Sequence, residues 1–142
     1  MSPEEFKNKL WRAGNTAWVE GNLDSLREVY AGDYISHRLP FPDLVGIEAV
    51  IDYVRDSRNG YSDIQISFEE MISEGNSIAY RYTWHGLHTG QSPSLPIPPT
   101  GKPVILKGCI VVHVENGKVV EEFEYSDYLG FLQQLGVIPP LG

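Results

Sequence analysis

The chain has 142 residues, 42% of them hydrophobic and 11% aromatic, with one cysteine and a formal net charge of −8. This composition describes one globular domain spanning 1–142 with a sizeable core, and it excludes a disordered chain or a disulfide scaffold. The 11 basic residues are scattered among 19 acidic ones, which argues against a nucleic-acid surface. The start, MSPEEFKNKLW, lacks the basic lead and apolar core of a signal peptide. No apolar run nears the roughly 20 residues of a membrane helix. A soluble, cytoplasmic protein with no membrane partner is expected.

Ser2-Pro3-Glu4-Glu5 opens a helix with a cap, a first-turn proline and carboxylates at the positive end of the dipole. Phe6, Leu10, Ala13 and Ala17 then keep the 3.6 period until Gly21-Asn22. A short second helix is predicted over Asp24–Tyr30. The segment Tyr34–Pro42 reads as extended or looped, because its two prolines exclude helix. Gly46 introduces a third helix with Ile47, Val50, Ile51 and Val54 on one face, and Asn59-Gly60 stops it.

From Asp63 the period changes to two. Ile64, Ile66 and Phe68 share one side of a strand, Gly75-Asn76 turns the chain, and Ile78, Tyr80, Tyr82 and Trp84 share one side of the next. The proline-rich GQSPSLPIPPTG, residues 90–101, is long for a strand connection and stiff, which favours a lid, an arm or a dimer contact. A third strand runs from about Pro103 to Val114, Asn116-Gly117 signals a tight hairpin, and a fourth strand runs from Lys118 to about Ser126. A last helix covers Tyr128–Leu135 and ends at Gly136. Helices grouped before strands imply an α+β fold, a curved antiparallel sheet packed on helices from one side. Wrapped around a long helix, such a sheet makes a cone whose open end is a natural ligand pocket.

A set of patches along nearly the whole chain resembles the SnoaL-like polyketide cyclases of the nuclear transport factor 2-like superfamily. They are Tyr34-Ile35-Ser36-His37, Gly46-Ile47-Glu48-Ala49, Trp84-His85-Gly86-Leu87-His88-Thr89-Gly90, Ile97-Pro98-Pro99-Thr100-Gly101-Lys102, Asn116-Gly117-Lys118-Val119-Val120-Glu121 and the closing Asp127 with Leu129–Gly136. Each is weak alone; their order and spacing carry the resemblance. It implies the same cone fold and a cofactor-free aldol ring closure of an apolar or aromatic polyketide ester. It further implies an aspartate near the end of the last strand as acid/base with a histidine nearby on the preceding strand, here Asp127 and His113, and a homodimer through the sheet faces. One departure is Phe123, which stands where the family usually has Trp.

From the residues alone, Asp127 reads equally as a helix cap or as an acid in an apolar pocket, where burial would raise its pKa. Phe123, Tyr125 and Asp127 share strand parity, so Glu122 and Glu124 read as solvated and Glu121 as the exception. His37 suits a pocket wall or a satisfied surface position, and Trp84 could stack on a flat ligand. His88, through the resemblance, could close the pocket mouth. Cys109 reads as a buried structural thiol. His85 and His88 point to opposite strand faces and no third ligand is evident, so no metal is expected; no phosphate-binding glycine loop calls for a nucleotide cofactor. The competing reading is a non-catalytic ligand-binding or dimerisation module, or an isomerase or hydrolase on the same fold.

Overall fold

The structure, a computed structural model, describes residues 2–142. Helix α1, Pro3–Trp18, starts where expected: Ser2 accepts a hydrogen bond from the Glu5 amide at 3.1 Å, and Phe6, Leu10, Ala13 and Ala17 are buried. The second helix is a 3₁₀ turn, Leu23–Glu28, shorter than predicted. The Ser25 hydroxyl ties it to α1 by donating to the Ala13 carbonyl. Tyr30 already belongs to a strand.

That strand, β1 (Tyr30–His37), occupies part of the segment read as extended or looped. Its prolines lie beyond its end, so the backbone of 30–37 is free to pair. It pairs antiparallel with the two-residue β2 (Leu44–Val45) and parallel with the last strand. Helix α2 (Ile47–Gly60) follows Gly46, which holds φ +87°, a left-handed value suited to glycine. The meander β3 (Tyr61–Glu74), β4 (Ser77–His88), β5 (Pro103–Glu115) and β6 (Lys118–Ser126) is antiparallel throughout, and α3 (Tyr128–Gln134) closes the chain.

The curved sheet therefore has six strands, in the order β2-β1-β6-β5-β4-β3, and it is mixed rather than wholly antiparallel. The parallel pair was hidden in the sequence because Ser36 and Glu122, its register partners, lie 86 residues apart. The α+β class with helices grouped on one face stands. Among the described residues, no helix is long and apolar enough to cross a membrane.

One irregularity in β6 governs the site. His113 pairs with Glu121, but the next residue of β5, Val114, pairs with Val119. Val120 is thus the extra residue of a β-bulge, and a bulge switches the side chains beyond it to the opposite face. Val119 is buried in the core beside Val112, and past the bulge it is Glu122 and Glu124, not Glu121 and Phe123, that face the helices. Full burial of a valine is worth about 1.5–3 kcal/mol, which anchors the register on this side of the bulge.

Candidate functional site

Between the inner face of the sheet and helices α1 and α2 lies a cavity of about 190 Å³. Its walls are mainly aromatic and aliphatic: Trp18, Tyr53, Phe68, Tyr80, Trp84 and Phe131 are among them. Trp84 meets Trp18, Tyr61 and Phe131 edge-on at 6.2, 5.1 and 6.2 Å, an aromatic box built by the alternation of β4. The proline-rich loop contributes Ser92, Ser94 and Leu95 to the lining. Asp56 of α2 accepts hydrogen bonds from both serine hydroxyls and so pins this loop against the helix.

Among the described residues, only three ionisable side chains other than tyrosines line this apolar space: Arg38, Glu122 and Glu124. Glu122 is 8% exposed and accepts a 2.6 Å hydrogen bond from the Ser36 hydroxyl. Burial pushes its carboxyl up to about 7; the Ser36 bond opposes this and the neighbouring Glu124 adds to it. Glu124 Oε2 sits among three hydroxyls, those of Tyr82 at 2.9 Å, Ser126 at 2.7 Å and Tyr128 at 2.7 Å. Tyr82 and Ser126 also touch each other at 2.6 Å, which joins the three hydroxyls and the carboxyl in one hydrogen-bonded cluster. None of these bonds uses Glu124 Oε1. Burial holds the phenols of Tyr82 and Tyr128 protonated to well above their ordinary range, and the adjacent carboxylate reinforces this.

Gly108 makes room for this cluster. A Cβ there would lie 2.0 Å from Ser126 Oγ and 2.9 Å from Tyr82 Cε1. A side chain at that position of β5 would therefore push apart two of the hydroxyls that hold Glu124.

The residues singled out from sequence divide sharply. Trp84 lines the cavity. Asp127 does not: it is an exposed N-cap of α3 whose carboxylate accepts from the Gly130 amide at 2.8 Å. Phe123 and Tyr125 lie on the outer face, Tyr125 being 63% exposed, and the expectation that Glu122 and Glu124 are solvated is overturned by the bulge at Val120. His37 and His113 are also on the outer face and off the cavity. His37 Nε2 is 2.9 Å from Glu121 and its Nδ1 3.1 Å from Asp43, while its ring stacks on Phe123 at 4.8 Å. The Glu121 bond chiefly, with Asp43 behind it, raises the His37 pKa. His113 reaches Glu121 at 3.7 Å, not Asp127.

His88 is buried away from the cavity lining. Its Nδ1 accepts from the Thr100 amide at 3.1 Å, securing the far end of the proline-rich loop, and burial lowers its pKa. Cys109 is a free, half-buried thiol. Among the described residues, no group of three or more His, Cys, Asp or Glu converges as a metal site. The residues missed from sequence are Glu122, Glu124 and Arg38. The one hint was the adjacent apolar pair Val119-Val120, which breaks strict alternation and marks the bulge.

Comparison with known proteins agrees with this architecture. The family model described as SnoaL-like polyketide cyclase matches residues 8–135. No curated protein matches the chain. Among solved structures, TsrD from Streptomyces laurentii superposes with a TM-score of 0.85 at 20% identity, covering 97% of this chain and 100% of that one. A candidate SnoaL-like polyketide cyclase from Jannaschia sp. CCS1 gives 0.82 at 21% identity, over 99% and 98% of the two chains. IdmH, a candidate polyketide cyclase from Streptomyces antibioticus, gives 0.75 at 24% identity, over 96% and 100%. At these identities the likeness to the solved structures establishes the fold.

Proposed function

The chain belongs to the SnoaL-like polyketide cyclase family, and on that premise we propose that it performs cofactor-free acid/base chemistry on an apolar, carbonyl-bearing small molecule in the cavity, with Glu124 as the acid/base. The observation that carries this reading is that Glu122 and Glu124, the only two carboxyl groups on the cavity wall among the described residues, stand in a mainly aromatic and aliphatic space. Asp127, the acid implied by the resemblance, is instead turned to solvent and occupied by a helix amide.

An aldol closure needs a base to take a proton from the carbon beside a carbonyl. The electrons of that C–H bond become an enolate, which forms a C–C bond to a second carbonyl. The resulting alkoxide then takes the proton back from the carboxylic acid. One carboxyl can do both in turn. Glu124 is built for both roles, since Oε1 is open to a substrate while Oε2 is fixed by three hydroxyls. The low dielectric of the cavity strengthens each of these interactions, and the carboxyl needs little rearrangement during the reaction. Glu122, protonated below about pH 7, limits repulsion between the two acids.

The test is ligand-induced thermal stabilisation across a panel of aromatic and poly-β-ketone esters. Each hit is then assayed for ring closure and for deuterium uptake beside its carbonyl. Glu124→Gln should cut turnover by about 10²–10⁴-fold with binding retained, and Asp127→Asn should leave it unchanged. Binding without turnover across the panel would favour the non-catalytic ligand module. Undiminished turnover in Glu124→Gln would remove Glu124 from the chemistry. The homodimer expected from the resemblance remains part of the proposal; exposed Tyr125 and Ile105 on the outer sheet face support it, and a monomeric sedimentation profile at micromolar concentration would count against it.

A further inference from the structure

Arg38 is the only cation on the cavity wall among the described residues, and it is 7% exposed. It follows β1 in the parity of Tyr34 and Ser36, which also line the cavity. Its guanidinium carbon lies 4.0 Å from the centroid of the Tyr53 ring and 5.0 Å from that of Phe41. Phe41 in turn meets Tyr128 edge-on at 4.8 Å, and Tyr128 donates to Glu124. The guanidinium and the acid/base therefore sit along one aromatic wall.

No ion pair or side-chain hydrogen bond of the described residues engages this guanidinium, and its Nε is buried without a partner. Arg58 of α2 shows what a structural arginine does in the same molecule: its Nη1 donates to the carbonyls of Trp18 and Val19 at the end of α1. Arg38 ties no carbonyl and pairs with neither glutamate. Rings cover part of the cation, but its planar fork of N–H donors is left to whatever enters the cavity. A buried charge without hydrogen-bond partners costs several kcal/mol, and a guanidinium is matched by the two oxygens of a carboxylate.

We propose that Arg38 is an anion subsite that binds the carboxylate of a small aromatic or apolar acid whose body fills the cavity. A single guanidinium, with no second cation on the cavity wall among the described residues, suits one planar monoanion rather than a phosphate dianion. The inference deepens the reading of the cavity given above and rests on its taking a small ligand. It narrows the substrate from any carbonyl compound to one that also bears a free carboxylate, held away from the carbon on which Glu124 acts.

The experiment compares equilibrium binding of 2-naphthoate, 2-naphthamide and methyl 2-naphthoate to the full chain and to two variants, Arg38→Met and Arg38→Lys. Methionine keeps an apolar stem against Tyr53 and Phe41 without charge; lysine keeps charge without the planar fork. The wild type should bind the acid about tenfold or more tightly than the amide, as expected for a charge-assisted pair. Arg38→Met should abolish that preference with ester affinity little changed and no fall in the thermal midpoint, and Arg38→Lys should retain part of it. Equal binding of acid and amide, a preference that survives in Arg38→Met, or no saturable binding of 2-naphthoate to the wild type would each overturn the proposal. Deuterium uptake that depends on Glu124 but occurs without an acid preference would refute the anion subsite alone. An Arg38-dependent preference with no loss of uptake in Glu124→Gln would refute the acid/base assignment alone.

Discussion

On the outer face of β6, Glu121 meets His37 at 2.9 Å and His113 at 3.7 Å within reach of solvent. One residue along, on the inner face, Glu122 is almost wholly buried and accepts a hydrogen bond from the Ser36 hydroxyl. The two acids are identical in type and adjacent in sequence, yet their surroundings assign them opposite behaviour. Outside, water screens the pairs, and the charged forms are easily tolerated. Inside, desolvation dominates and pushes the Glu122 carboxyl up to about 7. A cluster of histidines and acids on a sheet is thus a weaker pointer to chemistry than a pair of carboxyls facing an apolar cavity.

The contrast can be broken most forcefully through Glu122. Its carboxyl titrates near 7 when folded, against 4.5 ordinarily, so the folded state holds the proton more tightly. The stability it contributes is full below about pH 4.5 and is lost as pH rises through about 7. That difference corresponds to roughly 3 kcal/mol across the window. Glu122→Gln should remove this fall, so chemical denaturation of wild type and variant at pH 4.5 and pH 8 should diverge in slope. Parallel profiles would mean that Glu122 is not buried as described.

Next in size is Gly108→Ala. The added methyl meets Ser126 and Tyr82 and should cost roughly 1–3 kcal/mol of stability, while lowering any Glu124-dependent activity more than Asp127 substitutions do. A variant with wild-type stability and activity would show that the hydroxyl cluster can shift freely. Asp127→Ala should lose about 1 kcal/mol through its cap alone, seen as a lower denaturation midpoint with deuterium uptake unchanged; a collapse of uptake would return Asp127 to the chemistry. Smallest is Glu121→Gln, which should lower the His37 pKa towards its ordinary 6.5 when followed by NMR titration, because the Glu121 bond is the main cause of its rise. An unmoved His37 would place that control with Asp43.

The resemblance in the sequence extended to family and fold class, and the local elements were largely legible. Ser2-Pro3 began a helix where capping chemistry required one, and Asn116-Gly117 turned the chain between β5 and β6. The stripe Tyr80, Tyr82, Trp84 marked the inner face of β4 correctly, because no bulge interrupts its pairing with β5. These features depend on residues within a few positions of one another.

What the chain could not declare locally was decided by distant partners. Parallel pairing of β1 with β6 joins residues far apart in sequence, so neither strand carries a local mark of the other. The bulge at Val120 reversed the parity of β6, exchanging Glu122 and Glu124 for Phe123 and Tyr125 at the cavity, because both Val119 and the residues after the bulge had to meet β5 in register. Arg38 gained its place only when the rings of Tyr53, on α2, and Phe41 came beneath it. The sequence determined the elements and, through ordered motifs, the family; the tertiary structure decided which acids lost their water, since desolvation depends on every element that surrounds a group.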